Sequence, residues 1–234
     1  MSLVLRTTDG PVAVLSLNRP DKRNAMIPEV QRELIAMLGN VAADETVGAV
    51  VITGEGGDFC VGGDRAVVQR MQTDASFYDE LAQVHAAIAD AILSFAKPTI
   101  AAVNGRAFGF GAELAAFCDM VVMGEEACFA DPHVKLGMGP APGALLIWPQ
   151  LTSRMIAAEL LLTGREIGAE EALRLGLANR ITPEGEALAG ALELAHGLCK
   201  LPREGVLAVK RKLRRSYADM VAAAGGIEKP PNAL

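Results

Sequence analysis

Residues 97–119 read KPTIAAVNGRAFGFGAELAAFCD. The run TIAAV at 99–103 is short and apolar, and turn signals bound it on both sides: Lys97-Pro98 before, glycines after. That pattern predicts a strand covered on both faces. Glycine beyond the strand end permits positive φ and lets a ligand approach bare N–H groups. A helix opening there adds free donors and a partial positive charge. Glu113 then falls in the first turn, where a carboxylate also simply complements the helix dipole.

A second junction of the same kind lies upstream, VVITGEGGDFCVGGD at 50–64. Read singly, each loop is as consistent with a tight strand-to-helix turn as with a site. Read together, two sets of free N–H groups converging on one point make an oxyanion hole. Neither is a phosphate loop. GEGGDF lacks the Lys-Ser/Thr ending, and GRAFGFG does not fit G-x-G-x-x-G.

Working outward, LVLRT (3–7) and VAVLSL (12–17) flank Asp9-Gly10, which predicts a hairpin. NRPDKRNA (18–25) is a polar loop, and Pro28 opens a helix carrying Val30, Leu34, Leu38 and Val41. VGAVVIT (47–53) predicts a buried strand, residues 76–95 a helix, and Val121-Val122 a third buried strand. Ser153 caps a helix to Leu162 that Gly164 stops; a short helix follows at 169–175, an extended piece at 177–181, and helices at 184–200 and 203–220. Short buried strands alternating with helices predict an α/β fold with parallel pairing. We divide it into a core, 1–195, and a short C-terminal helical segment, 196–234, whose GGIEKPPNAL end is expected to fray.

With 51% hydrophobic residues the chain can build one large core, and global disorder is excluded. The net charge of −6 disfavours nucleic-acid binding, so a polyanionic ligand needs a local basic patch. Cys60, Cys118, Cys128 and Cys199 lack metal-site spacing and are expected to be reduced and mostly buried. We expect no signal peptide, membrane span, metal or nucleic acid, and a cytoplasmic location.

The segments NRPDKRNA, ITGEGGDFCVGGD, KPTIAAVNGRAFGFGAELAAFCD, FADPHVKLGM and LLTGREIGAEEALRLGLANRI resemble, in order and spacing, the signatures of the enoyl-CoA hydratase/isomerase (crotonase) superfamily, from about residue 3 to 215. The resemblance implies a spiral of ββα units with C-terminal helices that form a homotrimer or dimer of trimers. It implies oxyanion donors at the N–H groups of Gly63 and Phe110, the second position usually being glycine. It places a CoA-type ligand, part of an acyl-CoA thioester substrate rather than a separate cofactor, along Lys22, Arg23, Ala25, Gly62, Asp64 and Arg65. Glu113 falls on the family's first catalytic glutamate. His133 stands where hydratases carry a second, and imidazole also shuttles protons near neutral pH. Asp131 then orients either His133 or Arg106.

The reaction the resemblance implies is hydration of a 2-enoyl-CoA, as in fatty acid metabolism. The alternatives are 3-enoyl to 2-enoyl isomerisation with Glu113 alone, retro-Claisen C–C hydrolysis, and non-catalytic CoA-ester binding. Asp-Pro-His and Ile147-Trp148-Pro149 resemble segments of the C–C hydrolases, but their acid nine residues after the His is Pro142 here. Met71 and Met155 are expected in the core or pocket lining. The cluster Lys210, Arg211, Lys212, Arg214, Arg215 is expected to be a solvated helix face, or a phosphate-binding patch. His85 and His196 receive no catalytic role.

Overall fold

In a computed structural model, residues 2–140 and 142–223 are described. The expected frayed tail at 225–234 lies outside them. The strands are β1 (Val4–Asp9), β2 (Val12–Leu17), β3 (Ala49–Gly54), β4 (Thr99–Val103), β5 (Arg106–Phe108), β6 (Met120–Gly124), β7 (Cys128–Ala130), β8 (Ile167–Gly168) and β9 (Arg180–Thr182). The α-helices are α1 (Pro28–Ala43), α2 (Arg65–Thr73), α3 (Ala75–Leu93), α4 (Phe110–Phe117), α5 (Pro142–Leu151), α6 (Arg154–Thr163), α7 (Ala169–Leu175), α8 (Ala187–Cys199) and α9 (Arg203–Ala223).

The main sheet has the order β1-β2-β3-β4-β6-β9 and is parallel except for the β1–β2 hairpin, which turns at Gly10. A smaller sheet, β5-β7-β8, is extended by isolated bridges from Cys60 to Ala107 and from Gly63 to Met26. Each turn of the chain therefore lays one strand in the main sheet and one extended piece in the second layer, then a helix. This is the expected α/β spiral.

The strand runs are apolar throughout because both faces are covered. Val50 and Ile52 of β3 point into the larger core with α1, α3 and α4, while Ala49 and Val51 face outward. Ala187, Ala191 and Ala195, one turn apart on α8, lie over that outward face. Small residues there let helix and sheet approach closely. Because α8 runs on to Cys199, the division drawn at 195/196 falls inside a helix; the segment that starts at a break is α9, after Pro202.

Helix α9 corrects the expectation of a solvated basic face. Lys210 is 6% exposed, and its Nζ donates to Lys97 O (2.6 Å) and pairs with Asp119 (2.7 Å). Arg214, one turn on, reaches Asp119 Oδ1 (3.0 Å) and Phe117 O (2.7 Å). Arg211 and Lys212 are exposed, and the side chain of Arg215 lies outside the described set. Periodicity could not separate these, because a basic stripe looks alike whether it meets water or a buried acid. Met155 is likewise corrected: it is 77% exposed on α6, while Met71 is half-buried. All four cysteines are free, with Cys60 and Cys118 buried and Cys128 and Cys199 half-buried.

Candidate active site

The two glycine loops meet. Gly62 has φ +87°, and a Cβ there would lie 2.8 Å from Phe108 O and 3.8 Å from Gly109 Cα. A Cβ on Gly111 would lie 2.0 Å from Cys60 O. Only bare backbone allows this close approach of the two loops, one of which carries Gly63 and the other Phe110. Phe110 is the first residue of α4, so its N–H has no partner within the helix. Neither the Gly63 nor the Phe110 N–H donates to an acceptor among the described residues. Gly63 is exposed, whereas the Phe110 ring is buried. Unpaired backbone donors of this kind, one of them at the start of α4, can polarise a carbonyl.

Glu113, in the first turn of α4, is 2% exposed, and its Oε1 has no hydrogen-bond partner. Burial pushes its carboxyl up to about 8; the nearby Asp131 charge adds to the shift and the Ala144 N–H opposes it. The α5 backbone closes against it, since a Cβ on Gly143 would be 2.3 Å from Glu113 Oε2. Glu113 is thus mostly protonated at neutral pH, which a dipole-complementing surface glutamate would not be.

Asp131 follows β7 and is buried. Its Oδ1 accepts from the His133 backbone N–H (3.3 Å) and binds His133 Nδ1. Arg106 instead pairs with Asp58 (2.6 and 2.9 Å), so Asp131 orients His133 and not Arg106. With Nδ1 held, Nε2 is the ring nitrogen left for chemistry. His133 lies at the loop junction: a Cβ on Gly109 would sit 3.3 Å from its Cε1.

Sequence reasoning missed His85. From α3 it stacks flat on Phe110, with ring centroids 4.7 Å apart and planes at 14°. Burial pushes its imidazole down to about 4, and His133 adds to the shift. No motif marks it, because α3 reaches the site only through tertiary packing. His196 lies elsewhere, 3.2 Å from Asp9. Ile147 and Trp148 are core residues, Trp148 packing edge-on to Phe129.

The remaining positions also come together. Val61 N donates to Arg23 O (3.3 Å), Met26 N to Gly62 O (2.7 Å) and Asp64 N to Met26 O (2.9 Å). Residues 22–26 therefore run beside 61–64, and Lys22, Arg23 and Arg65 are exposed there while Ala25 is buried. Asp64's carboxylate is already engaged: it caps α2 through Ala66 N (3.1 Å) and pairs with Arg19 (3.0 Å). Among the described residues no group of three or more His, Cys, Asp and Glu side chains is placed to hold a metal ion.

The chain matches the enoyl-CoA hydratase/isomerase family model over residues 7–229. It belongs to that family. It is 34% identical over 216 residues to the 2,3-dehydroadipyl-CoA hydratase of Escherichia coli, covering 92% of this chain and 83% of that protein. It is 36% identical over 220 residues to the carnitinyl-CoA dehydratase of Escherichia coli, covering 92% and 80%. The crystal structure of an enoyl-CoA hydratase/isomerase from Mycobacterium paratuberculosis superimposes with a TM-score of 0.88 at 34% identity, covering 94% of this chain and 88% of that one. This member of the crotonase superfamily is therefore an enzyme of the hydratase or isomerase type.

Proposed function

We propose that the protein hydrates 2-enoyl-CoA thioesters at this site. The reading is carried by one arrangement: a protonated buried acid, Glu113, and an oriented dyad, Asp131–His133, beside the Gly62–Gly109 junction. The N–H groups of Gly63 and Phe110 donate to the thioester oxygen and draw electron density from C3. His133 takes a proton at Nε2 from water as the water oxygen bonds to C3. The double-bond electrons pass to the carbonyl oxygen, and the two N–H groups hold the enolate. The enolate collapses and C2 takes the Glu113 proton. The proton on His133 returns to Glu113 through solvent, so one water is consumed and no cofactor beyond the substrate's own CoA takes part.

Lys22, Arg23 and Arg65 supply local positive charge for the CoA phosphates on an otherwise acidic protein. A 3-enoyl/2-enoyl isomerase would use Glu113 alone and leave the dyad idle, and Pro142 at the C–C hydrolase acid position argues against that chemistry. We place the reaction in the cytoplasm, in turnover of fatty acyl-CoA; among the described residues no helix is long and apolar enough to cross a membrane. We infer a homotrimer or dimer of trimers as well, supported by exposed Leu136, Leu145, Met155 and Leu162 on the neighbouring α5, α6 and 133–136 turn. Sedimentation at micromolar protein showing only monomer would remove the oligomer.

The function is tested with crotonyl-CoA, by loss of the conjugated thioester absorbance, in parallel with 3-enoyl-CoA esters and β-diketones. Turnover of crotonyl-CoA by the wild type that His133→Ala abolishes is the expected result. Isomerisation of the 3-enoyl ester without hydration, unaffected by His133→Ala, would replace this reading with the isomerase.

A further inference from the structure

The imidazole of His85 has no part in the hydration steps, yet it lies against the residue that carries one oxyanion donor. It stacks on Phe110 at 4.7 Å and 14°, and Phe110 itself is buried beneath it. His85 is half-buried and makes no hydrogen bond among the described residues. Its ring nitrogens are not among the fully buried unpaired atoms, so they keep some access to water although the ring is largely covered.

We propose that His85 is a specificity-determining residue that selects acyl groups bearing an uncharged hydrogen-bonding substituent, a hydroxyl or carbonyl, over plain alkyl chains. The proposal rests on the acyl site described under Proposed function, with the thioester oxygen at Gly63 and Phe110. An acyl chain that runs from that point past the Phe110 ring meets His85, whose imidazole lies on that ring. A methylene chain laid there strips water from ring nitrogens that have no protein partner, which is costly. A hydroxyl or carbonyl replaces the water, because a neutral imidazole both donates and accepts. Burial and the neighbouring His133 hold His85 in that neutral form, which favours an uncharged partner over a carboxylate. Phe110, in place of the usual glycine, supplies the platform that fixes the imidazole plane.

The test measures binding of unreactive saturated thioesters to the full chain by calorimetry, so that turnover is not needed. Hexanoyl-CoA, 6-hydroxyhexanoyl-CoA and adipoyl-CoA are compared on wild type, His85→Phe and His85→Gln. Phe keeps a flat ring on Phe110 and removes both nitrogens, while Gln keeps donor and acceptor without the ring. The wild type should prefer the hydroxyl ligand to hexanoyl-CoA by roughly tenfold, the worth of one unmet hydrogen bond. His85→Phe should abolish or invert the preference, and His85→Gln should retain its direction. Equal ratios in wild type and His85→Phe would overturn the proposal while leaving the acyl site standing. Tightest binding of adipoyl-CoA, lost in His85→Phe, would overturn selection for an uncharged group. Failure of all three thioesters to bind wild type would remove the acyl-site reading and this proposal with it.

Discussion

His133 and Asp131 form a closed pair two residues apart: one carboxylate oxygen of Asp131 binds both the backbone N–H and the ring Nδ1 of His133. The proline between them helps to hold the turn, and the free ring edge is left beside Gly109. The pair therefore fixes both the direction and the tautomer of the imidazole.

Asp131→Asn should lower kcat by roughly 10²–10⁴-fold, the usual scale for a lost acid–base step, with little change in CoA-ester affinity. It should also pull Glu113's titration down, because the Asp131 charge is part of what raises it. His133→Ala should lose the rate to a similar extent. A pH–rate series on both variants checks this. Wild-type kcat in Asp131→Asn would remove the dyad from the mechanism.

Glu113 should impose a pH dependence on stability. Its folded carboxyl lies near 8 against 4.5 for an ordinary glutamate, so the folded state holds a proton that the unfolded chain releases. That stabilisation is full below about pH 4.5 and lost as pH rises through about 8, for a total of at most about 5 kcal/mol. Glu113→Gln should flatten the window, so that its Tm advantage over wild type grows from pH 5 to pH 8. The same variant should lose roughly 10²–10⁴-fold in kcat. A constant Tm difference across that range would show that Glu113 is ionised in the folded protein.

Gly62→Ala should separate the two loops. The position has φ +87°, and the new methyl would meet Phe108 O at 2.8 Å. Displacing one donor of a pair is expected to cost roughly 10²–10³-fold in kcat. Gly57→Ala, where a Cβ meets nothing within 4 Å, is the matched control and should stay close to wild type. Equal kinetics for the two variants would contradict the donor role of Gly63.

Lys210→Met should loosen α9. It removes the 2.6 Å bond to Lys97 O and the 2.7 Å pair with Asp119, leaving Arg214 as Asp119's cationic partner. The expected cost is about 1–3 kcal/mol in urea unfolding, with faster amide exchange over 203–214. Unchanged exchange there would show that apolar packing alone holds the helix.

The sequence by itself determined the local elements whose causes are local. Asp9-Gly10 set the hairpin, Pro28 the start of α1, and Ser153 and Gly164 the two ends of α6. Buried strands β3, β4 and β6 were legible because parallel strands covered on both faces are apolar throughout. The motifs also pointed to both glycine loops, Glu113 and His133. The second sheet was not legible, since its strands are only two or three residues long and are defined by their partners. Helix α2 was legible only as a helix start after the glycine loop and not in its extent, because it is short and its apolar residues Val67, Val68 and Met71 are only half-buried. Tertiary structure alone decided that Asp131 takes His133 rather than Arg106, that Lys210 and Arg214 turn inward to Asp119, and that His85 lies on Phe110. Each of these is a choice among partners of equal local merit, and it is made by which groups the spiral brings within contact distance and shields from water.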